Sequence, residues 1–504
     1  MPKTRYTRHE AWFQPVLDHL WGPVGTAADV VHLHFNLALL LPLEQAYRQA
    51  SQQLDRLTAR LHQWTEQYGF EAPSGTNLLC PRLLAMLMKT LPDPDEEPLP
   101  VAAGPGGAPP IPFEALLRTW LLAPFYEVED NAAAIWRALG NNPRYLERCR
   151  YPENQLLSER KLQQFNRVMN WAGLWGEAKR IVVRDNLDTE AIDAPRRLAI
   201  DPGHQDGYAG VRRPCQACRV CGSCPKEERV RTCDVTDIVA KRKTYQFPGV
   251  KGVFVTDPDA EMPYTAAAVN ARVYDGNTGK TTAETFAREY PELVAGIDEA
   301  TLDGAFDNVA EKRGISEALG GAEVLAPINP RNRKKKTPVK GSRGIEYLDQ
   351  YGVPHCIQGE ALKYCGRDNR RQAYVWGCPR FDPETRSVDC PLQGRCCPNP
   401  GVNGRRIRIP RAKTPQIDWD LPQHSQEFKE RYKSRTAVER TIGRTKRSFP
   451  FERHWGRGRD SYQGHLDKGV LAFHVLMAAA HAAGLTARGR SPLTFHKRTD
   501  KAVA

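Results

Sequence analysis

At residue 196 the chain changes texture, and this change constrains the fold more than any other feature. Before it, apolar residues recur at helical spacing, as in VVHLHFNLALLLPLEQAYRQASQQLDRLTARLHQW within 9–90 and FEALLRTWLLAPFYEVEDNAAAIWRALGNNPRYLERC from 113. After it, RRLAID (196–201) is a short apolar run of strand length that ends in a carboxylate. GVKGVFVTD and YTAAAVNARVYDG read as paired strands, TTAETFAREYPELVAG as an amphipathic helix, and AEVLAPINP as a further strand. Strands and helices alternating in this order predict an α/β fold, with a mixed sheet flanked by helices.

Composition divides the chain further. Its 504 residues exceed one ordinary core, so two to four domains are expected. Residues 1–90 are a helical N-terminal region, and 91–112 a Pro/Gly-rich linker. Residues 113–190 are again helical, with short helices that suit either a DNA-binding helix-turn-helix or helical packing with no DNA role, and no recognition helix stands out. The first part of the α/β core occupies 191–336, and a turn-rich, β-rich, Cys-containing insertion 337–431. The core closes over 432–485 with a basic helix and an apolar one, HLDKGVLAFHVLMAAAHAAG, before a basic tail at 486–504. No internal repeat is visible.

The charge is unevenly placed. The whole chain carries +13, and from residue 401 onward 22 Lys and Arg stand against 9 Asp and Glu, an excess equal to the total. A second basic patch is RNRKKK, with Arg331, Arg333, Lys334, Lys335 and Lys336. Such asymmetry favours a polyanion, most simply nucleic acid, held through its phosphates. The basic runs lack an amphipathic apolar face, and no stretch reaches the roughly 18 apolar residues of a membrane span. MPKTRYTRHEAWFQP has no apolar run after its charges, so no secretory signal is read and the cytoplasm is the expected compartment.

Thirteen cysteines, an odd and clustered number, argue for reduced thiols and metal rather than disulfides. Cys215, Cys218, Cys221, Cys224 and Cys233 follow as Cx2Cx2Cx2Cx8C, a candidate structural Zn²⁺ knuckle. The alternatives are no metal at all and an iron–sulfur cluster, whose usual run has a third gap one residue longer. Cys378, Cys390, Cys396 and Cys397 form a weaker zinc candidate, to which Cys356 or Cys365 could contribute, because adjacent cysteines make poor co-ligands. Cys80 and Cys149 read as core residues.

One acidic residue stands inside the basic run YKSRTAVERTIGRTKRS (432–448). On a helix of about 100° per residue, Tyr432, Arg435, Glu439 and Lys446 share a face, while Val438 and Ile442 form an apolar pair. A solvated helix would pair Glu439 with Arg435 and Arg440. The other reading joins Glu439 to Asp201 in RRLAID and Asp303 in LDGAFDN. Three carboxylates suit Mg²⁺ or Mn²⁺, and such ions promote in-line displacement at phosphorus.

Tyr432, Arg435, Glu439 and Lys446, spaced Tyr-x2-Arg-x3-Glu-x6-Lys, resemble the signature of the insertion-sequence DDE transposases. LAIDPG resembles the strand that carries the first aspartate of that family and LDGAFDN the second, with Asp307 as the lesser candidate to Asp303. The resemblance spans roughly 196–480 and implies an RNase H-like core with Asp201, Asp303 and Glu439 as metal-binding catalytic residues. It also implies phosphate contacts by Arg435 and Lys446, packing of Tyr432 against terminal nucleotides, and a homodimer on DNA. The chain departs from the pattern at Gly203, where many members carry Thr or Ser. His204 and Asp206 read as turn residues. The rival functions are an RNase H-like nuclease without strand transfer and a non-catalytic zinc-containing DNA-binding protein.

Overall fold

Local sequence sets the helix starts in the N-terminal half. A computed structural model describes residues 26–68, 111–152, 157–207, 237–242, 245–271, 273–331, 333–339, 344–396, 404–456 and 458–495. Cys80, the first cysteine cluster (215–233), Cys397, most of the linker and the end of the tail lie outside the described residues. The helices are α1 (Ala27–His34), α2 (Leu43–Tyr68), α3 (Phe113–Leu122), α4 (Ala132–Asn141), α5 (Pro143–Cys149), α6 (Glu159–Trp171) and α7 (Leu174–Asp188). Thr26 and Asp29 cap α1 reciprocally, and Asn131, Asn142 and Ser158 each accept a first-turn N–H. Gly173, at φ 67°, makes the left-handed turn between α6 and α7.

The central sheet contains β1 (Arg197–Gly207), β2 (Asp237–Arg242), β3 (Tyr245–Asp257), β4 (Met262–Val269), β5 (Glu299–Leu302) and β6 (Glu323–Leu325). β1 is its pivot. It pairs antiparallel with β3 on one side and parallel with β5 on the other, β5 continues in parallel to β6, and β3 pairs antiparallel with β2 and β4. Between β4 and β6 come α8 (Gly279–Glu289) and α9 (Val309–Ala318). The expected mixed sheet flanked by helices is present.

The region after 336 carries small sheets. β7 (Lys336–Pro338), β8 (Ile345–Asp349) and β9 (Pro354–Cys356) form one; β10 (Lys363–Asp368), β11 (Ala373–Gly377) and β14 (Arg406–Pro410) form another. Between the last two lies the hairpin of β12 (Phe381–Asp382) and β13 (Ser387–Val388). These sheets share their own apolar cluster of Ile328, Ile345, Leu362, Tyr374, Trp376, Ile409 and Ile417. The chain then returns to the core through α10 (Gln426–Tyr432), α11 (Thr436–Arg447), the short β15 (Arg453–His454) beside β1, and α12 (Arg459–Ala482).

α12 is almost wholly buried and packs against α7, β4 and α1, so one apolar cluster runs from Ala27 through the sheet to Ala479. Charge is buried there as well. Lys179 of α7, fully buried, lies 2.8 Å from both Glu289 of α8 and Asp467 of α12. Asp130 pairs with Lys468 and with His465 of α12. A cation inside apolar packing needs such partners to balance its lost hydration.

Several expected boundaries differ. β1 does not end at Asp201 but runs six residues further, because β3 continues to pair with it through Asp206. His204 and Asp206 are therefore strand residues, not turn residues. Pro202 is tolerated where β1 has passed the last β5 partner, Leu302, and one side of its backbone is free of ladder bonds. Tyr290 and Pro291 break the expected helix after Glu289, since the residue before a proline resists the helical conformation. β6 keeps only Glu323–Leu325 of AEVLAPINP, and β4 stops at Val269. The stretch 432–448 is not one helix: Tyr432 ends α10, Lys433–Arg435 is a 3-10 turn, and α11 starts at Thr436.

Candidate active site

The side chains of β1 alternate, placing Ala199 and Asp201 on the face that packs against α11 and α12. Ala199 joins Phe254, Val438, Tyr462, Leu466 and Val470 in an apolar cluster, with Ile442 packed against it. The apolar pair Val438 and Ile442 is thus the seat of α11, as its spacing predicted, and seating it brings the polar face of the helix beside Asp201. The approach is close: a Cβ on Gly203 would lie 3.0 Å from Ile442 Cγ2 and 3.4 Å from Phe254 Cε2. A side chain at 203 would therefore press on Ile442, a constraint the sequence carried only as a departure from a pattern.

Arg435 joins the two carboxylates. Its Nη2 donates to Asp201 Oδ1 at 3.3 Å, across 234 residues of sequence, and its Nη1 to Glu439 Oε1 at 2.5 Å. The Asp201 side chain is 12% exposed and that of Glu439 54%. Arg435 Nε is buried without an acceptor among the described residues. Arg440 does not pair with Glu439; it reaches Glu261 at 2.6 Å.

Asp303 follows β5 directly, where that strand leaves its last β1 partner, and its carboxylate caps the next turn by accepting from Ala305 N. Burial pushes the Asp201 carboxyl up to about 7; Arg435 opposes the rise, while Asp303, Glu439 and Asp275 add to it. Asp201 and Asp303, presented by neighbouring strands, and Glu439, presented by α11, therefore lie in one electrostatic environment. Among the described residues no group of three or more His, Cys, Asp or Glu side chains is arranged to hold a metal ion, and Arg435 lies between two of the carboxylates.

Asp275 was not foreseen. It sits in the turn after β4 and accepts from the buried Lys251 Nζ at 2.5 Å, which also donates to Val273 O. The available signal was Lys251 itself, a cation in the apolar run GVKGVFV that had to find a partner. Asp307 is committed elsewhere, to Arg333 Nη2 at 2.8 Å, Lys312 Nζ at 3.1 Å and Asn329 N at 2.9 Å. These contacts hold its carboxyl below the ordinary range despite partial burial.

Tyr432 stacks on Phe428 with ring centroids 5.4 Å apart, and burial, helped by Asp303, Asp201 and Glu439 against Arg435, pushes its hydroxyl up to about 12. Lys446 reaches back to donate to the His204 carbonyl. In the RNRKKK patch Arg331, Lys334, Lys335 and Lys336 are exposed, with Lys336 over the Tyr347 ring at 4.5 Å, whereas Arg333 is engaged by Asp307. Cys149 is buried in the helical core. Among the described residues no helix is long and apolar enough to cross a membrane.

Residues 355–475 match the model of a family described as a transposase DDE domain. That stretch contains Tyr432, Arg435, Glu439 and Lys446; Asp201 and Asp303 precede it. No curated protein matches the chain. Among solved structures the chain is similar to the piggyBac transposase of a cryo-EM synaptic complex with hairpin DNA. The TM-score is 0.32 and the identity 10%, over 78% of this chain and 73% of that one.

Proposed function

We propose that this chain is a DDE transposase of an insertion sequence, with Asp201, Asp303 and Glu439 as its catalytic carboxylates on an RNase H-like core. The observation that carries the proposal is the meeting of Asp201 and Glu439 at one guanidinium, with Asp303 close enough to raise Asp201. The family match over 355–475 supports it. The three carboxylates supply the hard oxygens that Mg²⁺ or Mn²⁺ takes, and a bound divalent cation would offset the burial and the neighbouring carboxylates that together raise Asp201. The chemistry supplied there is Lewis-acid polarisation of a phosphodiester and of the attacking oxygen.

The remaining parts belong to the protein. Arg435 acts as the internal counter-ion of the carboxylates, and its planar fork suits a phosphate once DNA enters. Tyr432, a neutral phenol stacked on Phe428, keeps a hydroxyl proton to donate beside the reacting strand. Lys446 ties α11 to the extended end of β1, which fixes the height of Glu439 over Asp201. Arg331, Lys334, Lys335 and Lys336 offer exposed cations to the phosphate backbone of double-stranded DNA, on which the chain works as a homodimer.

The test uses the purified full chain, Mg²⁺, DNA carrying an element end, and a target plasmid. The parent nicks the end and joins it to the plasmid; Glu439→Gln binds the same DNA with unchanged affinity and does neither. Nicking without joining would leave a nuclease in place of a transposase. Undiminished nicking by Glu439→Gln would remove the carboxylates from the chemistry.

A further inference from the structure

The small sheets after residue 336 contain a cavity of about 30 Å³, the space of a single water or ion. Four cysteines line it: Cys356, Cys378, Cys390 and Cys396. The only other free thiols among the described residues, Cys149 and Cys365, are elsewhere. The four come from separate elements. Cys356 ends β9, Cys378 follows β11, Cys390 follows the β12–β13 hairpin, and Cys396 ends the short helix Gln393–Cys396. Backbone bonds fix the approach, since Cys378 N donates to Arg405 O and Cys396 N to Leu392 O, at 3.1 and 2.9 Å.

The geometry points to a structural Zn²⁺ site formed by Cys356, Cys378, Cys390 and Cys396, stapling the three small sheets together. This assignment does not depend on the catalytic reading. The expected group of Cys378, Cys390, Cys396 and Cys397 changes by one member, because Cys356 lines the cavity. Cys365, the other alternative, is exposed and donates to Lys363 O instead. Zinc prefers four thiolates in a tetrahedron with Zn–S bonds of about 2.3 Å. The four residues line the cavity without yet forming a group arranged to hold a metal ion, and Arg405 Nη1 donates to Cys396 Sγ at 3.1 Å. Loading therefore draws the sulfurs inward and releases four thiol protons to solvent as four Zn–S bonds form. Arg405, on the cavity wall, then offsets part of the net negative charge of a zinc tetrathiolate, while Arg380 is paired there with Glu360.

The need for a staple is physical. Sheets of two or three short strands are marginal alone, and the apolar cluster beneath them is small. One ion crosslinks all three, and so closes loops that apolar packing cannot hold.

The experiment labels the full chain with iodoacetamide, with and without added Zn²⁺, and reads each cysteine by peptide mass spectrometry. With zinc, Cys356, Cys378, Cys390 and Cys396 are alkylated at least tenfold more slowly, while Cys365 is labelled equally in both. In parallel, Cys356→Ser and Cys390→Ser each bind one equivalent less zinc than the parent, and Cys365→Ser binds the same amount. The proposal fails if zinc leaves the four thiols as reactive as Cys365, if protection covers only two of them, or if Cys356→Ser retains the parent's zinc. The labelling uses the unmodified chain, so its outcome holds even where a substitution prevents folding.

Discussion

Two parts of this molecule solve the same problem in opposite ways. The core, from α1 to α12, has enough apolar packing to bury Lys179, Glu289 and Asp467 together and still present a half-open cluster of carboxylates. The sheets between 336 and 410 have short strands and one modest apolar cluster, and gather their thiols around a cavity instead. The difference teaches that burial of charge needs surplus packing. Where the surplus exists, ion pairs can lock helices in register; where it does not, a crosslink is the cheaper device.

The contrast can be broken most severely at Lys179. Lys179→Met leaves Glu289 and Asp467 facing each other without their cation, and the core is expected to lose about 3–5 kcal/mol. Chemical denaturation should show this as a lowered midpoint. A midpoint equal to the parent's would mean that the network contributes nothing to the core.

Acid should discriminate between the two parts next. His474 of α12 is fully buried; its Nε2 donates to Pro263 O at 2.8 Å and its Nδ1 accepts from Asn186 Nδ2 at 3.1 Å. Burial, with a smaller push from Lys179, lowers it from 6.5 to about 4. A histidine lowered in the fold contributes stability that is full above its unfolded pKa and is lost as pH falls from about 6.5 to 4. The loss is on the order of 3 kcal/mol. Thermal unfolding across that window should show it, and His474→Gln should flatten the dependence.

A smaller effect is expected where the site meets its support. Gly203→Ala pushes α11 off β1 through Ile442 and should cost about 1–3 kcal/mol. Ile442→Ala in the same chain should recover part of that cost, which a double-mutant cycle measures. Additivity of the two changes would show that the contact is slack.

The smallest effect lies on the surface. Lys335→Ala should weaken DNA binding slightly and equally for all sequences, lowering the slope of log K against log salt by about one. A change in sequence preference would mean that Lys335 reads bases.

The paired strands and the apolar pair of α11 at Val438 and Ile442 were legible because each rests on a local period, while Asp201, Asp303 and Glu439 were named as candidates by chemical type and by the family resemblance. Asp275 was not, because its importance comes from Lys251 on another strand. The break in the helix at Lys433–Arg435 was not legible either: nothing in KSR forbids a helix, and the turn follows from where α10 and α11 each find packing, Phe428 near Leu325 and Val438 on the sheet.

By itself the sequence determined the alternation of elements, the skew of charge toward the C-terminus and the candidate acids and thiols, since periodicity, charge and ligand chemistry are local properties of residues. Only the tertiary structure decided which of them meet. It brought Arg435 between Asp201 and Glu439, committed Asp307 to Arg333, set Cys356 on one cavity with Cys378, Cys390 and Cys396, and made Gly203 a matter of space. Pairing across hundreds of residues depends on which faces pack, and packing is a property of the whole fold.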